Sequence, residues 1–197
     1  MKFIFATNNR HKLDEVRFIL KNVEILSLED MGINTEIPED FYTLHENAMQ
    51  KAKYIHQLTG MNVFADDTGF EIEALDGRPG VFSARYAGEG CTFEDNVKKV
   101  LSEMQGIKDR RASFRTVVAL IIDDCEHLFE GSVNGSIIDE SMGREGFGYD
   151  PIFIPVGFDL TFAQMPSELK NSMSHRARAF EKLAAFLETN QQAKSMK

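Results

Sequence analysis

The sequence predicts an α/β or α+β protein built on a mixed sheet. Two observations carry that expectation. In the first hundred residues, helical patterns lie between short apolar runs, the layout that produces parallel strands with helical crossovers. After residue 110, two long β-rich runs, 112–122 and 127–138, flank Asp123-Asp124 as the arms of a hairpin. A purely doubly wound fold does not accommodate those paired strands. There is no internal repeat and no low-complexity linker, so residues 1–197 are expected to form a single domain.

Taken in order, residues 2–6 read as the first strand. Residues 10–21 read as a helix with Leu13, Val16, Ile19 and Leu20 on one face. Residues 24–28 form a second strand, and the acidic, Pro38-containing stretch 33–41 is loop or edge. Residues 43–58 are helical, with Leu44, Ala48, Ala52 and Ile55 as the apolar stripe and Lys51 and Lys53 pointing elsewhere. Residues 62–65 are a strand delivering Asp66-Asp67-Thr68-Gly69 into a turn, and 70–75 continue as strand. Residues 76–80 are a loop. Residues 92–104 are helical behind a Thr92/Asp95 capping box, with Phe93, Val97, Val100, Leu101 and Met104 inward. Residues 142–150 hold three glycines and lead into a strand at 151–155. Residues 174–187 are the last helix, and the polar tail 188–197 is expected to fray.

Composition excludes several classes. At 43% hydrophobic and 27% charged, the chain is an ordinary water-soluble globule. A net charge of −9 argues against binding nucleic-acid backbones. The two cysteines, Cys91 and Cys125, are far apart and lack metal spacing, which points away from a disulfide framework and towards a reducing, cytoplasmic setting. No segment approaches the roughly 18 apolar residues of a membrane span, and no charged leader precedes the first strand. The histidines show no zinc-type pairing.

Four groups of residues could carry chemistry. Thr7-Asn8-Asn9-Arg10-His11-Lys12 joins a strand to a helix start, where unpaired N–H groups and the positive dipole end favour phosphate. Read alone, Asn9 serves equally as a helix cap and Lys12 as a solvated charge. Asp66-Asp67 puts two carboxylates on opposite faces of a strand end, with Asp67 the better placed to ligate Mg²⁺ or orient water. Glu39 or Asp40 in the acidic loop could complete that shell. Phe147-Gly148-Tyr149-Asp150 is a flexed turn whose aromatics either stack a base or enter the core. Lys170 and Ser174-His175-Arg176 sit at the start of the last helix. A cation there opposes the dipole, so Arg176 needs another partner.

Taken in order along the chain, these segments resemble the inosine triphosphate pyrophosphatase family, also called Ham1-like. The matching residues are Thr7, Asn9 and Lys12; Glu46-Asn47-Ala48 with Lys51; Ala65-Asp66-Asp67-Thr68-Gly69; Pro79-Gly80-Val81-Phe82-Ser83-Ala84-Arg85-Tyr86; Gly146-Phe147-Gly148-Tyr149-Asp150-Pro151; and Lys170 with Ser174-His175-Arg176. The resemblance implies an elongated two-lobed fold around a long mixed sheet, usually dimeric, with the active site in the cleft between the lobes. It implies Mg²⁺-dependent hydrolysis of ITP, dITP and XTP to the monophosphate and pyrophosphate. In that reading Thr7, Asn8, Asn9, Arg10, His11 and Lys12 bind the triphosphate, and Thr68 also contacts substrate. Asp67 and Lys51 are catalytic, and Glu39 and Asp67 ligate the metal. Phe147 stacks on the base, and Gly148, Tyr149, Asp150, Lys170, His175 and Arg176 read or border it. Two departures stand out. Thr68 replaces a common serine while keeping the hydroxyl. Asp40-Phe41 replaces a common Thr-Gly, which makes Asp40 a competitor of Glu39.

Overall fold

The computed structural model describes residues 1–195 and divides into two compact units. One comprises Met1–Asp67, Thr116–Gly131 and the chain from Arg176 onward; the other comprises Thr68–Arg115 and Ser132–His175. Among the described residues the strands are β1 (Lys2–Phe5), β2 (Glu24–Leu26), β3 (Val63–Ile72), β4 (Pro79–Gly80), β5 (Arg111–Ile122), β6 (Cys125–Ile137) and β7 (Phe153–Pro155). The α-helices are α1 (Arg10–Ile19), α2 (Leu44–Thr59), α3 (Phe93–Glu103), α4 (Ser167–Asn171) and α5 (His175–Ser195). The strands hydrogen-bond in the order β2-β1-β3-β5-β6-β7, with β4 on β3. Parallel and antiparallel pairs coexist, so the sheet is mixed, as expected.

In the first unit β1 lies parallel to both β2 and β3, with Phe3 opposite Ile25 and Phe5 opposite Phe64. Parallel neighbours need crossovers, and α1 and α2 supply them. The core is aromatic: the rings of Phe5 and Phe64 lie 4.9 Å apart, and Phe180 of α5 meets Phe64 edge-on at 5.5 Å. Thr43 caps α2, accepting from Glu46 N, and Gly60 ends it at φ +66°, a left-handed close that suits glycine. The Asp123-Asp124 turn joins β5 to β6 with φ of 50° and 59°, the paired positive values of a tight I′ hairpin.

In the second unit β4 pairs antiparallel with β3, and β7 with β6. Phe70, Phe114, Tyr149, Phe153 and Phe162 form the core with Val97 and Val100 of α3 and Met104 at its C-cap. The Thr92/Asp95 capping box is present.

Several expectations are corrected. Asp66-Asp67-Thr68-Gly69 is not a turn: β3 runs through it unbroken, and only Glu73–Leu75 leaves the strand, as a 3₁₀ turn. The strand pairs with β1 at Val63 and Phe64, with β4 at Phe70 and Glu71, and neighbours β5, so pairing on either end of the segment overrides its local turn preference. Asp150–Ile152 is likewise 3₁₀, which shortens the last strand to Phe153–Pro155. The short helix α4 was not expected. Helix α5 continues through Glu188 to Ser195, with no glycine or proline to stop it; the rest of the expected frayed tail, 196–197, lies outside the described residues. Phe93 is 43% exposed rather than inward. Lys51 sits on the buried face of α2, in register with Leu44, Asn47, Ala48, Ala52 and Ile55.

Candidate active site

The first unit holds a buried network of charges. Strand β3 brings Asp66 and Asp67 into it, α1 brings Lys12 and Glu15, α2 brings Asn47 and Lys51, and the start of α5 brings Arg176. Lys12 Nζ donates to Asp66 Oδ1 at 3.0 Å. Arg176 donates from Nε and Nη2 to Asp66 Oδ2 at 3.1 and 3.0 Å, and from Nη1 to Glu15 at 2.5 Å. Lys51 Nζ donates to Asp67 Oδ1 at 3.0 Å and to Glu39 Oε1 at 2.5 Å. Asp66, Asp67, Lys51 and Arg176 are all buried, and charges removed from water persist only when paired in this way.

The two adjacent aspartates are driven in opposite directions. Burial alone would raise Asp66, but Lys12 and Arg176 hold its carboxyl well below the ordinary range. Burial raises Asp67, and Lys51 and Lys12 only partly offset that. Burial pulls Lys51 down, yet Asp67 and Glu39 outweigh it and hold the ammonium above its usual value. Lys12 is lowered by burial despite Asp66. Neighbouring acids split in this way can take different roles, here a fixed charge at Asp66 and a proton acceptor at Asp67.

The acidic loop contributes Glu39 to this network. Asp40 is engaged with Gln50, accepting from its Nε2 at 2.6 Å. Glu39 and Asp67 therefore aim hard oxygen donors at one cation, the Lys51 ammonium. Among the described residues no group of three or more His, Cys, Asp or Glu side chains could hold a metal. A pair of carboxylates nonetheless fits Mg²⁺, which takes one or two protein carboxylates and completes its shell with water and substrate phosphates.

The strand-to-helix connection is built by its own side chains. Asn9 N donates to Thr7 Oγ1 at 3.1 Å, and Asn9 Oδ1 caps α1 by accepting from Lys12 N at 3.3 Å. Thr7, Asn8, Asn9 and Arg10 line a groove of about 710 Å³ with Arg17, Ser27, Asp30 and Thr35. Asn8, Arg10 and His11 are exposed.

In the second unit, Phe147 is half-buried. Its backbone N–H donates to Asp150 Oδ2 at 2.9 Å, and Lys170 Nζ donates to the same oxygen at 2.5 Å. That ammonium lies 5.1 Å from the Phe147 ring centroid, within cation–π range. Gly148 turns at φ +63° with open space around it. His175 is buried and stacks on Phe114 at 4.6 Å. Thr68 is half-buried in β3.

Three residues expected to read or border the base make contacts within the protein. Arg176 donates to Asp66 and Glu15, so its guanidinium organises carboxylates. The opposed dipole at the start of α5 is answered by the buried Asp66 and the partly buried Glu15. Tyr149 belongs to the core, stacked 4.7 Å from Phe70, with its hydroxyl donating to Ser83 O. Asp150 is buried and serves the turn and Lys170. Three contributors had no role of their own assigned from the sequence: Asp66 and Asn47 stand within the matching motifs, and Glu15 stands outside them. Asn47 had a legible signal, because an amide at that position interrupts the apolar stripe of α2. For Glu15 nothing local distinguished it from a surface acid.

The Ham1 family model matches residues 3–186. A dITP/XTP pyrophosphatase of Porphyromonas gingivalis is 52% identical over 188 residues, 94% of this chain and 97% of that protein. One from Flavobacterium psychrophilum is 46% identical over 187 residues, 94% of this chain and 98% of that protein. The Ham1 protein of Coxiella burnetii shares the fold at TM-score 0.88 and 35% identity, covering 96% of this chain and 99% of its own. The Ham1 protein of Staphylococcus aureus does so at TM-score 0.87 and 37% identity, covering 96% and 100%. Because the matched span takes in the whole buried charge network as well as both compact units, this chain belongs to the Ham1 family.

Proposed function

We propose that this protein hydrolyses nonstandard purine nucleoside triphosphates, dITP, XTP and ITP, to the monophosphate and pyrophosphate. The relatives named dITP/XTP pyrophosphatase support the substrate class. The observation that carries the chemistry is the charge network in which Lys51 bridges Asp67 and Glu39 while Lys12 and Arg176 hold the adjacent Asp66. Water adds across the α–β linkage: its oxygen bonds to phosphorus, the bridging P–O bond breaks, and the electron pair leaves with pyrophosphate. Asp67, raised by burial, accepts the water's proton. Lys51 keeps a positive charge beside that carboxylate, where negative charge on the phosphates accumulates, and Lys12 offers a second cation to them.

Glu39 and Asp67 would hold Mg²⁺, which when bound neutralises the phosphates and polarises water. The groove at Thr7, Asn8, Asn9 and Arg10 takes the triphosphate. Phe147 offers the stacking face, and donors at Lys170 and His175 suit the 6-oxo group of hypoxanthine and xanthine. Adenine carries an amino donor there and leaves those groups mismatched. The same reading includes a homodimer, tested by sedimentation equilibrium, and a cytoplasmic location.

A nucleoside triphosphate panel with Mg²⁺ tests the reading by product identity. Pyrophosphate from dITP, XTP and ITP with little from ATP or GTP supports it. Orthophosphate as the first product, or equal turnover of ATP, overturns it.

A further inference from the structure

The buried face of α2 contains a polar residue that no step above uses. Asn47 is fully buried, on the same face as Ala48, Lys51 and Ala52. Burying an amide without partners is costly, so its bonds should reveal its role. It clasps one backbone residue in both senses. Phe41 N donates to Asn47 Oδ1 at 2.9 Å, and Asn47 Nδ2 donates to Phe41 O at 3.2 Å. The same Nδ2 lies 3.5 Å from Asp67 Oδ2. One side chain thus touches both the acidic loop, two residues from Glu39, and the carboxylate on β3.

Residues 33–41 form no helix or strand. Thr35 is tied to Asn8 and Tyr54, and the bonds at the acidic end include those of Asp40 with Gln50, Glu39 with Lys51 and Phe41 with Asn47. Phe41 itself is 43% exposed, so its side chain is a weak anchor and its backbone is the held part. Lys51 follows Asn47 by four positions, one helical turn, so the two side chains rise from the same face of α2. Lys51 bridges Glu39 and Asp67 through charge, while Asn47 bridges the loop backbone and Asp67 through hydrogen bonds.

We infer that Asn47 is a positioning residue for the metal-binding carboxylates, setting the Glu39 loop and Asp67 in the spacing a divalent cation requires. This rests on the proposed Glu39/Asp67 pair. Asn47 acts through those two groups and touches no substrate. Partners that orient ligating carboxylates typically matter by about 10- to 100-fold in metal affinity or activity when removed.

The test compares wild type with Asn47→Ala and Asn47→Ser. Asn47→Ser keeps a small polar side chain and adds no charge beside Asp67, so it guards against a folding failure in the alanine variant. Binding of Mn²⁺, in the presence of the non-cleavable analogue α,β-methylene-dITP, is read from loss of the free-ion electron paramagnetic resonance signal. Turnover of dITP is measured in parallel across Mg²⁺ concentrations. The expected result is Mn²⁺ affinity lower by about 10-fold or more in a folded variant, and a matching rise in the Mg²⁺ needed for half-maximal turnover. Turnover at saturating Mg²⁺ should recover most of its wild-type value. Variants with lowered thermal stability but unchanged Mn²⁺ affinity would assign Asn47 a purely structural role and overturn the inference. A wild type that binds Mn²⁺ but releases no pyrophosphate would sink the activity reading, while the Mn²⁺ comparison would still decide the role of Asn47.

Discussion

Arg176 holds the carboxylate of Asp66 with two donors, Nε at 3.1 Å and Nη2 at 3.0 Å, both on Oδ2. The two residues are 110 positions apart and both are almost fully buried. Glu15 accepts from Nη1. This clamp ties the start of α5 to the centre of β3 and leaves Asp66 Oδ1 for Lys12.

Arg176→Ala should therefore destabilise the protein strongly. Removing one partner of a buried pair costs about 3–5 kcal/mol, because the other charge stays buried. Lys12 remains on Asp66, so the lower end of that range is expected. Arg176→Lys keeps the charge but not the planar fork, and should recover only part of the loss. Urea unfolding measures both, and a loss below about 1 kcal/mol for the alanine variant, an ordinary single-substitution effect, would rule out the clamp.

Asp66 also sets the acid limb of stability. Its folded value is depressed below the unfolded value of about 3.9. Its stabilisation is complete above about pH 5 and is lost as pH falls towards the depressed folded value. Asp67 acts in the opposite sense: its raised value makes its contribution shrink as pH climbs above about 3.9. Unfolding free energies from pH 2 to 6 should thus fall less steeply towards acid in Asp66→Asn than in wild type. Parallel curves would contradict the depressed value.

Asp67→Asn should lower pyrophosphate release from dITP by about 10²- to 10⁴-fold, the usual contribution of a positioned base. The amide oxygen can still accept from Lys51, so the fold should be retained, as circular dichroism would report. Turnover within threefold of wild type would remove Asp67 from the reaction.

Gly146 is the test of the second unit. It turns at φ +73°, and a Cβ there would meet Asp150 Oδ2 at 2.1 Å. That oxygen holds the Phe147 backbone and Lys170. Gly146→Ala adds that clash to the strain of a positive φ, so it should destabilise by more than about 2 kcal/mol and raise KM for dITP more than it lowers kcat. Gly148→Ala is the control: φ is +63° but nothing lies within 4 Å, so only backbone strain remains, about 1–2 kcal/mol. Equal effects from the two variants would show that displacement of Asp150 is irrelevant.

Local signals were readable where local physics decides. The Thr92/Asp95 capping box, the Asp123-Asp124 hairpin and the starts of α1 and α2 all depend on residues within a few positions of each other. Asp66-Asp67-Thr68-Gly69 misled because its local preference is for a turn, whereas the strands that pair with β3 come from elsewhere in the chain. Lys51 misled in a related way. Its charge suggested an outward face, although positions 44, 48, 51 and 55 follow the helical period, and only the carboxylates of Glu39 and Asp67 make its burial tolerable.

By itself the sequence determined the mixed α/β class, the helices with their caps, and the order of motifs that marks the Ham1 family. These follow from short-range periodicity and from residue types at fixed places along the chain. Tertiary structure alone decided which charges meet: Lys12 with Asp66, Lys51 with both Glu39 and Asp67, Arg176 with Asp66 and Glu15. It also decided that Tyr149 enters the core and that Asn47 holds the acidic loop. Pairing energies of buried charges depend on distance and on exclusion of water, and neither is encoded at any single position.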